Sequence, residues 1–525
     1  MIDRDLARRL GGRHLLAELE SKLGTVSDQA NHSVRLVTST VMADTLAGQH
    51  LIWMLANLLA RQFAIVHKIE IQIPPNVAVR SQAVLFPIAA AKTNLADAIA
   101  TTVTLIAADT IEVVIVDSAD TQVDFEVFIG YDNSSSSAPY SLGVYADGWN
   151  LYVGDPSTTP AMTPVSAMPF GPYFAACIAA AEVFKFFRKL KAGAGSFARN
   201  VFLSLWNFQV ADAWEDLPKT TDIPVYIPPF YLAGAGAVGQ ALACTLAAAP
   251  CEDMYVTVID HDKIDDEGTN LNRCPLATQE DIGAMKSVLT AECLCGRSID
   301  VFIHENKWEH YLDSNNRRPQ RADVAALECD LKYPIIVSCV DKNPARHALQ
   351  KCWPEYLIGG STNGMGIEVS SYDMESMYEC LMCFNPLPKV SSIEEAAARF
   401  KGLTSEEQKN QAKQFGIDLD SILQYLDSPE CGSIAENELR KFADAERAPR
   451  ASVGFVSVGA GVVLAVQLVK YAREGRSTFS VDLGNSIRFN FLEPSRFRWS
   501  KHRRKDKCEC SNRGRDTYHR LWDIS

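Results

Sequence analysis

The stretch from Pro228 to Asp260, PPFYLAGAGAVGQALACTLAAAPCEDMYVTVID, carries the reading of the fold. A short apolar run leads into three glycines. A stretch of small and apolar residues without a charge follows to Ala249, and a β-branched run, Met254 to Ile259, closes the segment. That order predicts strand, tight turn, helix and strand, a βαβ unit. Gly234, Gly236 and Gly239 stand at the strand-to-helix turn, where missing side chains let the backbone turn and let a phosphate approach the helix N-terminus. Asp260 closes the second strand, 21 residues beyond Gly239. A carboxylate there can accept hydrogen bonds from ribose hydroxyls, and the spacing fits NAD as well as ATP.

The same order occurs about 195 residues earlier. Val34 to Thr38 reads as a strand, a helical stretch runs to about Gln62, and Ile65 to Ile73 reads as a second strand. Gly171 to Leu190 and Gly454 to Arg473 form another matching pair, both helical, rich in small residues and ending in basic ones. These repeats predict an α/β fold of two Rossmann-like units forming an internal pseudo-dimer. The first copy lacks the complete glycine fingerprint, so residues 1–220 are expected to be a degenerate, inactive unit and residues 221–525 the active one.

A polar series follows Asp260: Asn270, Asn272 and Arg273 (NLNR), Lys286 at the start of a predicted helix (GAMKS), then Asp341, Asn343 and Arg346 (CVDKNPAR) after a predicted strand. Hydride transfer has no need of this set. Adenylation of a carboxylate does, because cations must offset the phosphate charge while pyrophosphate leaves, and a carboxylate such as Asp341 can hold Mg²⁺. Singly, an Asp or Asn before a helix is more often a cap and a Lys or Arg a solvated charge; the joint order argues otherwise.

Together VIDHDKIDDEGTNLNR, the Lys286 segment and CVDKNPAR resemble the adenylation domain of the E1-like (ThiF/MoeB/E1) superfamily, over about residues 225–510. The resemblance implies that Gly234, Gly236, Gly239 and Asp260 bind ATP, Asp260 at the ribose, that Asn270, Arg273 and Lys286 bind its phosphates, and that Asp341 coordinates Mg²⁺. Gly359 to Gly366 (GGSTNGMG) is similar to the loop beside which a partner's C-terminal tail threads. Two extra residues between Asp262 and Asn270 depart from the family pattern.

Thirteen of the 14 cysteines lie after residue 240, which fits metal ligands, a reactive thiol and buried small residues better than a disulfide framework. Cys380 and Cys383 (CLMC) with Cys508 and Cys510 (CEC) supply four thiols. Four thiolates make a closed structural Zn²⁺ site, and the arrangement resembles the family's, although CxC replaces its wider second pair; buried free thiols are the alternative. Cys431 (SPECGS) sits in the crossover segment, about 384–450, where thioester-forming relatives carry their nucleophile. Asp427 and Glu430 beside it would raise a thiol pKa, which leaves an unreactive loop cysteine as the alternative. Ser391 to Asp427 reads as helices with polar faces, able to form a lid.

Composition narrows the partners. A net charge of −13 argues against nucleic acid as principal partner; the one basic stretch, Arg496 to Arg504, reads as a solvated segment flanking the metal site or as a docking patch. The charged start, MIDRDLARRLGGR, is unlike a signal peptide and favours the cytoplasm. Ala451 to Val469 carries no charge over 19 residues, but its glycines and Gln467 favour a helix buried between protein layers over a membrane span.

The expected function is therefore Mg-ATP-dependent adenylation of the C-terminal carboxylate of a ubiquitin-like protein, transfer to Cys431, and handover to an E2-like protein. Arg273, Lys286 and Asp341 are the expected catalytic residues, and Arg8, Arg9 or Arg13 is a candidate to reach the nucleotide from the first unit. A fused degenerate and active half also resembles the E1-like proteins of bacterial antiviral ubiquitin-conjugation operons. The rival readings are adenylation alone, as in sulfur-carrier activation, an NAD-dependent oxidoreductase, and an inactive binding scaffold.

Overall fold

The computed structural model describes residues 32–63, 65–85, 93–118, 121–130, 136, 138–188, 198–219, 222, 225–265, 268–295, 299–315, 335–387, 392–415, 418–427, 453–475 and 484–522. Cys431, Arg8, Arg9 and Arg13 lie outside the described residues. The chain divides into a large unit, residues 1–385 with 451–525, and a small one, residues 386–450.

The large unit holds two eight-stranded sheets. The first comprises β1 (His32–Thr38), β2 (Val66–Gln72), β3 (Glu112–Ile115), β4 (Phe125–Ile129), β5 (Tyr140–Asp147), β6 (Asn150–Gly154), β7 (Val201–Ser204) and β8 (Gln209–Ala211), in the order β3-β2-β1-β4-β5-β6-β7-β8. The second comprises β9 (Phe230–Ala233), β10 (Met254–Ile259), β11 (Ile299–His304), β12 (Ile335–Ser338), β13 (Tyr356–Asn363), β14 (Gly366–Ser371), β15 (Ser486–Asn490) and β16 (Arg498–Ser500). Its order is β11-β10-β9-β12-β13-β14-β15-β16. Each strand of the first sheet thus has a counterpart eight labels on. Pairing directions match as well: parallel from the β3 and β11 edges through β5 and β13, antiparallel beyond. The repeat read from two βαβ segments extends over whole sheets.

Four apolar helices form the centre: α1 (Leu46–Ala60), α2 (Phe170–Phe187), α3 (Ala237–Ala248) and α4 (Gly454–Glu474). Burial of β9 and β12 in the parallel part of the second sheet explains why FYLA and IIV run apolar instead of alternating. One core joins both halves: Phe174 of α2 packs on Phe489 of β15 with ring centroids 5.0 Å apart, and Phe184 of α2 on Phe455 of α4 at 5.6 Å. Both long helices, α2 and α4, have the length and apolarity to cross a membrane, yet 94% and 89% of their apolar windows are buried inside the protein. The small residues of α4 serve close packing, Gly461 lying directly against Ala241 of α3.

Three helices make up the described part of the small unit: Ser392–Lys401, Ser405–Phe415 and Leu419–Asp427. Their polar faces match the sequence reading, while Phe400, Ala412 and Ile422 turn inward. Thr404 and Glu407 form a reciprocal cap at the start of the second helix, the Thr404 amide donating to Glu407 Oε2 at 2.8 Å and the Glu407 amide to Thr404 Oγ1 at 3.4 Å.

Candidate functional site

The turn after β9 is shaped by three glycines with three different duties. Gly234 has φ +95°, a left-handed value, and a Cβ there would lie 2.9 Å from the Cys339 carbonyl. Gly239 sits in the first turn of α3, where any Cβ would overlap the Gly234 carbonyl oxygen. Gly236 is different: it caps α3 with φ −71°, and a Cβ would meet nothing within 4 Å. The N-terminus of a wholly uncharged helix therefore opens onto free space, the arrangement that accepts an anion.

Asp260, 8% exposed, lies beside this turn. Its Oδ2 accepts from the Ala235 amide at 2.6 Å and its Oδ1 from the Asp262 amide at 2.7 Å. Each oxygen keeps a lone pair for a further donor. Burial raises the Asp260 pKa, opposed by those two amides and by the Lys286 charge. Lys286 begins the helix Lys286–Leu294, as its sequence position implies, and its Nζ lies 3.3 Å from Asp262 Oδ2.

Asn270 and Asn272 are buried in a 3-10 turn, Thr269–Asn272, which Arg273 ends. Asn270 Oδ1 accepts from the Asp265 amide at 3.1 Å. Burial raises the pKa of the neighbouring Cys274 thiol, and the charges of Arg273 and Lys286 oppose that rise. Asp341 is exposed just past the end of β12, whose neighbour β9 leads into Gly234. Arg346 donates to Val340 O at 3.1 Å and to Asn343 Oδ1 and Asn385 Oδ1 at 3.1 and 2.7 Å, tying the segment after β12 to the chain beyond Cys383. Burial lowers its pKa.

Gly359 to Gly366, expected as a loop, is instead the end of β13, a tight turn and the first residue of β14, with Asn363 paired to Gly366. The two-residue turn Gly364–Met365 explains this, since Gly364 at φ +58° takes the first central position, where such a hairpin calls for glycine.

Among the described residues the first half has no equivalent opening. Its β1-to-α1 turn carries a short extra helix, Thr40–Ala43, and the side chain of Met42, 1% exposed, packs against Gly130 just after β4. Cys339 holds the matching place after β12. Ile73 and Pro74 follow β2 where Asp260 follows β10, so no carboxylate stands there.

Cys380, Cys383, Cys508 and Cys510 bring their sulfurs within 4.8 Å of one another. Three separations are 3.7 Å (Cys380 to Cys383), 3.7 Å (Cys380 to Cys508) and 3.3 Å (Cys383 to Cys510). A tetrahedral site with metal–sulfur bonds of about 2.3 Å has edges of about 3.8 Å, so the cluster can hold a metal after small adjustments. Hydrogen bonds from the Cys380 and Cys510 thiols lower the Cys383 pKa. Sequence reasoning missed the organiser of this region, Arg504, which donates to the carbonyls of Met374 (2.8 Å), Ser376 (2.7 Å) and Cys510 (3.1 Å). The rest of the basic stretch is mixed: Arg496, Arg498, Lys501 and Arg503 are exposed, while Phe497 is buried.

Comparison with known proteins gives matches in both halves. The ThiF family matches residues 230–512, more than half of the chain, and the BilD N-terminal domain matches residues 33–205. The uncharacterized protein y4jF of Sinorhizobium fredii (strain NBRC 101917 / NGR234) is 25% identical over 398 residues, 70% of this chain and 72% of that protein. Adenylyltransferase and sulfurtransferase MOCS3-1 of Zea mays is 29% identical over 158 residues, which span only 30% of each protein. Among solved structures, E. coli MccB with MccA-N7isoASN gives a TM-score of 0.35 at 15% identity, covering 54% of this chain and 67% of MccB. MccB with AMPCPP and MccA gives 0.34 at 16%, covering 54% and 66%. The ThiF family match, residues 230–512, lies over the glycine turn, the polar series and the thiol cluster alike, and the chain belongs to the ThiF family.

Proposed function

We propose that this chain is an ATP-dependent activating enzyme that adenylates the C-terminal carboxylate of a ubiquitin-like protein. The observation that carries the reading is the open N-terminus of α3 at Gly236, bordered by Asp260 and Lys286. Family membership and the adenylyltransferase name of the maize relative support it.

In this reading the carboxylate oxygen of the partner attacks the α-phosphorus of ATP, the bond to the β-phosphate oxygen breaks, and pyrophosphate leaves. The amides at the start of α3, with Asn270, Arg273 and Lys286, offset the phosphate charge, which grows on the leaving pyrophosphate. Asp260 accepts from the ribose hydroxyls. Asp341 would hold Mg²⁺, which as a Lewis acid polarises phosphoryl oxygens. In a second step the Cys431 thiol loses its proton and attacks the acyl carbon, AMP departs, and the resulting thioester is handed to an E2-like protein. Cys380, Cys383, Cys508 and Cys510 would hold Zn²⁺ structurally, leaving no position for substrate. The first half, its β1-to-α1 turn without a glycine and with Met42 packed against Gly130, acts as the inactive partner of a pseudo-dimer. No disulfide joins the described cysteines, which fits work in a reducing cytoplasm. The setting implied by the sequence resemblance is an antiviral conjugation system.

The test is mass analysis without reductant after mixing the protein with Mg-ATP and a candidate ubiquitin-like partner, using wild type, Cys431→Ala and Asp341→Ala. A thiol-sensitive adduct lost in both variants supports the full sequence. Pyrophosphate exchange abolished only by Asp341→Ala, without an adduct, leaves adenylation alone and removes Cys431 from the mechanism. Absence of ATP binding by the wild type sinks the reading.

A further inference from the structure

The turn that carries Asn270, Asn272 and Arg273 is held by side chains from the other half of the molecule. Arg61 follows the last turn of α1 and is 1% exposed. Its Nε donates to Asn57 Oδ1 at 2.8 Å, and its two terminal nitrogens donate to the carbonyls of Leu271 (2.6 Å), Pro275 (2.8 Å) and Ala277 (3.0 Å). Asn57 Nδ2 donates a further bond to Pro275 O at 3.0 Å. Leu271, Cys274, Leu276 and Ala277 are all buried, so water does not satisfy these carbonyls; the guanidinium does. One side chain therefore grips the turn on both sides of Arg273. The first residue of α4 closes the same corner: a Cβ on Gly454 would lie 3.5 Å from Asn272 O and 3.6 Å from Arg61 Cδ.

We propose that Arg61, aided by Asn57, is a positioning residue supplied by the first half, fixing the turn 270–277 so that Asn270 and Arg273 present their polar groups to the phosphates of ATP. The inference rests on the reading of the second half as an ATP site. Arginine suits the task because three carbonyls diverge around it and the planar fork reaches all three at once, which a point-like ammonium does not. Burial pulls the Arg61 pKa down to about 10, so it stays charged at neutral pH. On this account the first half contributes to the site without touching substrate.

The experiment measures the affinities of Mg-ATP and of AMP by calorimetry for wild type, Arg61→Lys, Arg61→Met and the milder Asn57→Ala, each well below its unfolding temperature. A residue that merely stabilises the fold would leave the ratio of the two affinities unchanged. Positioning of the turn predicts that ATP binding weakens about tenfold or more while AMP binding, with only the α-phosphate, changes little. Arg61→Lys is expected to retain more ATP affinity than Arg61→Met, because it keeps the charge and one of the carbonyl bonds. An unchanged ATP-to-AMP ratio in Asn57→Ala and Arg61→Lys, with wild type binding ATP normally, overturns the positioning role and leaves the ATP site standing. Wild type that binds no ATP overturns both.

Discussion

Replacing each glycine of the 234–239 turn by alanine separates binding from folding. At Gly236 the backbone is at φ −71° and a Cβ meets nothing within 4 Å, so alanine fits without strain. Alanine caps a helix less well than glycine, a cost of about 0.5–1 kcal/mol. The reduced freedom of its unfolded chain offsets about 0.4–1 kcal/mol. The unfolding temperature of Gly236→Ala is thus expected to stay close to wild type. Affinity behaves differently: an amide holds a phosphate oxygen at about 2.9 Å, and the new methyl occupies the space through which that oxygen approaches. A hundredfold loss of ATP affinity, about 2.8 kcal/mol, is expected. Gly234→Ala reverses the pattern. Its φ of +95° imposes about 1–3 kcal/mol of backbone strain, and its Cβ would press on the Cys339 carbonyl at 2.9 Å. Gly239→Ala would overlap the Gly234 carbonyl and costs about 1–3 kcal/mol or more through overpacking. Calorimetric titration with Mg-ATP and thermal unfolding of the three variants read both quantities. Gly236→Ala with wild-type affinity and wild-type stability would refute the placement of phosphates at the start of α3.

The other expectations concern the rest of the molecule. Titration with ATP should give one site per chain, because the first half's β1-to-α1 turn has no glycine, packs Met42 against Gly130 and has no counterpart of Asp260; a second site of similar affinity would show that this half is not degenerate. Elemental analysis should find one zinc per chain, lost with a fall in unfolding temperature in Cys510→Ser; a metal-free wild type of full stability would make the cluster one of buried thiols. Lys470 of α4 donates to Trp206 O at 2.7 Å, and burial lowers its pKa to about 8. Between about pH 8 and 10.5 the unfolded chain therefore binds more protons at this residue than the folded one, and stability rises with pH across that window. Relative to Lys470→Met, wild type should gain up to about 3 kcal/mol over this range in denaturant titrations, and a flat difference would contradict the shift.

Much of the fold was legible because it rests on local patterns. The run from Phe230 to Ile259 shows its strands and helix by apolar character and glycine placement, and the earlier copy repeats it. The four thiols were legible as two short-range pairs, although their meeting is a tertiary fact. Features set by long-range geometry were not. Arg61 stands at the end of an apolar helix, 210 positions before Leu271, and reads as an ordinary surface cation; only the burial of several carbonyls beside it reveals its task. Met42 looks like any core residue until Gly130 is seen beneath it. The hairpin turn at 364–365 carried a local signal, a glycine between two β-rich runs, but the likeness to a family loop took precedence over it.

The covalent joining of the two sheets bears on how the enzyme responds to dilution. In an assembly of separate subunits, support given by one protein to another's turn is lost as concentration falls through the dissociation constant. Here Arg61 and the turn it grips belong to one chain, so their association is a unimolecular event at fixed effective concentration. The specific activity per molecule should accordingly hold constant at the low copy numbers at which a dimer would fall apart.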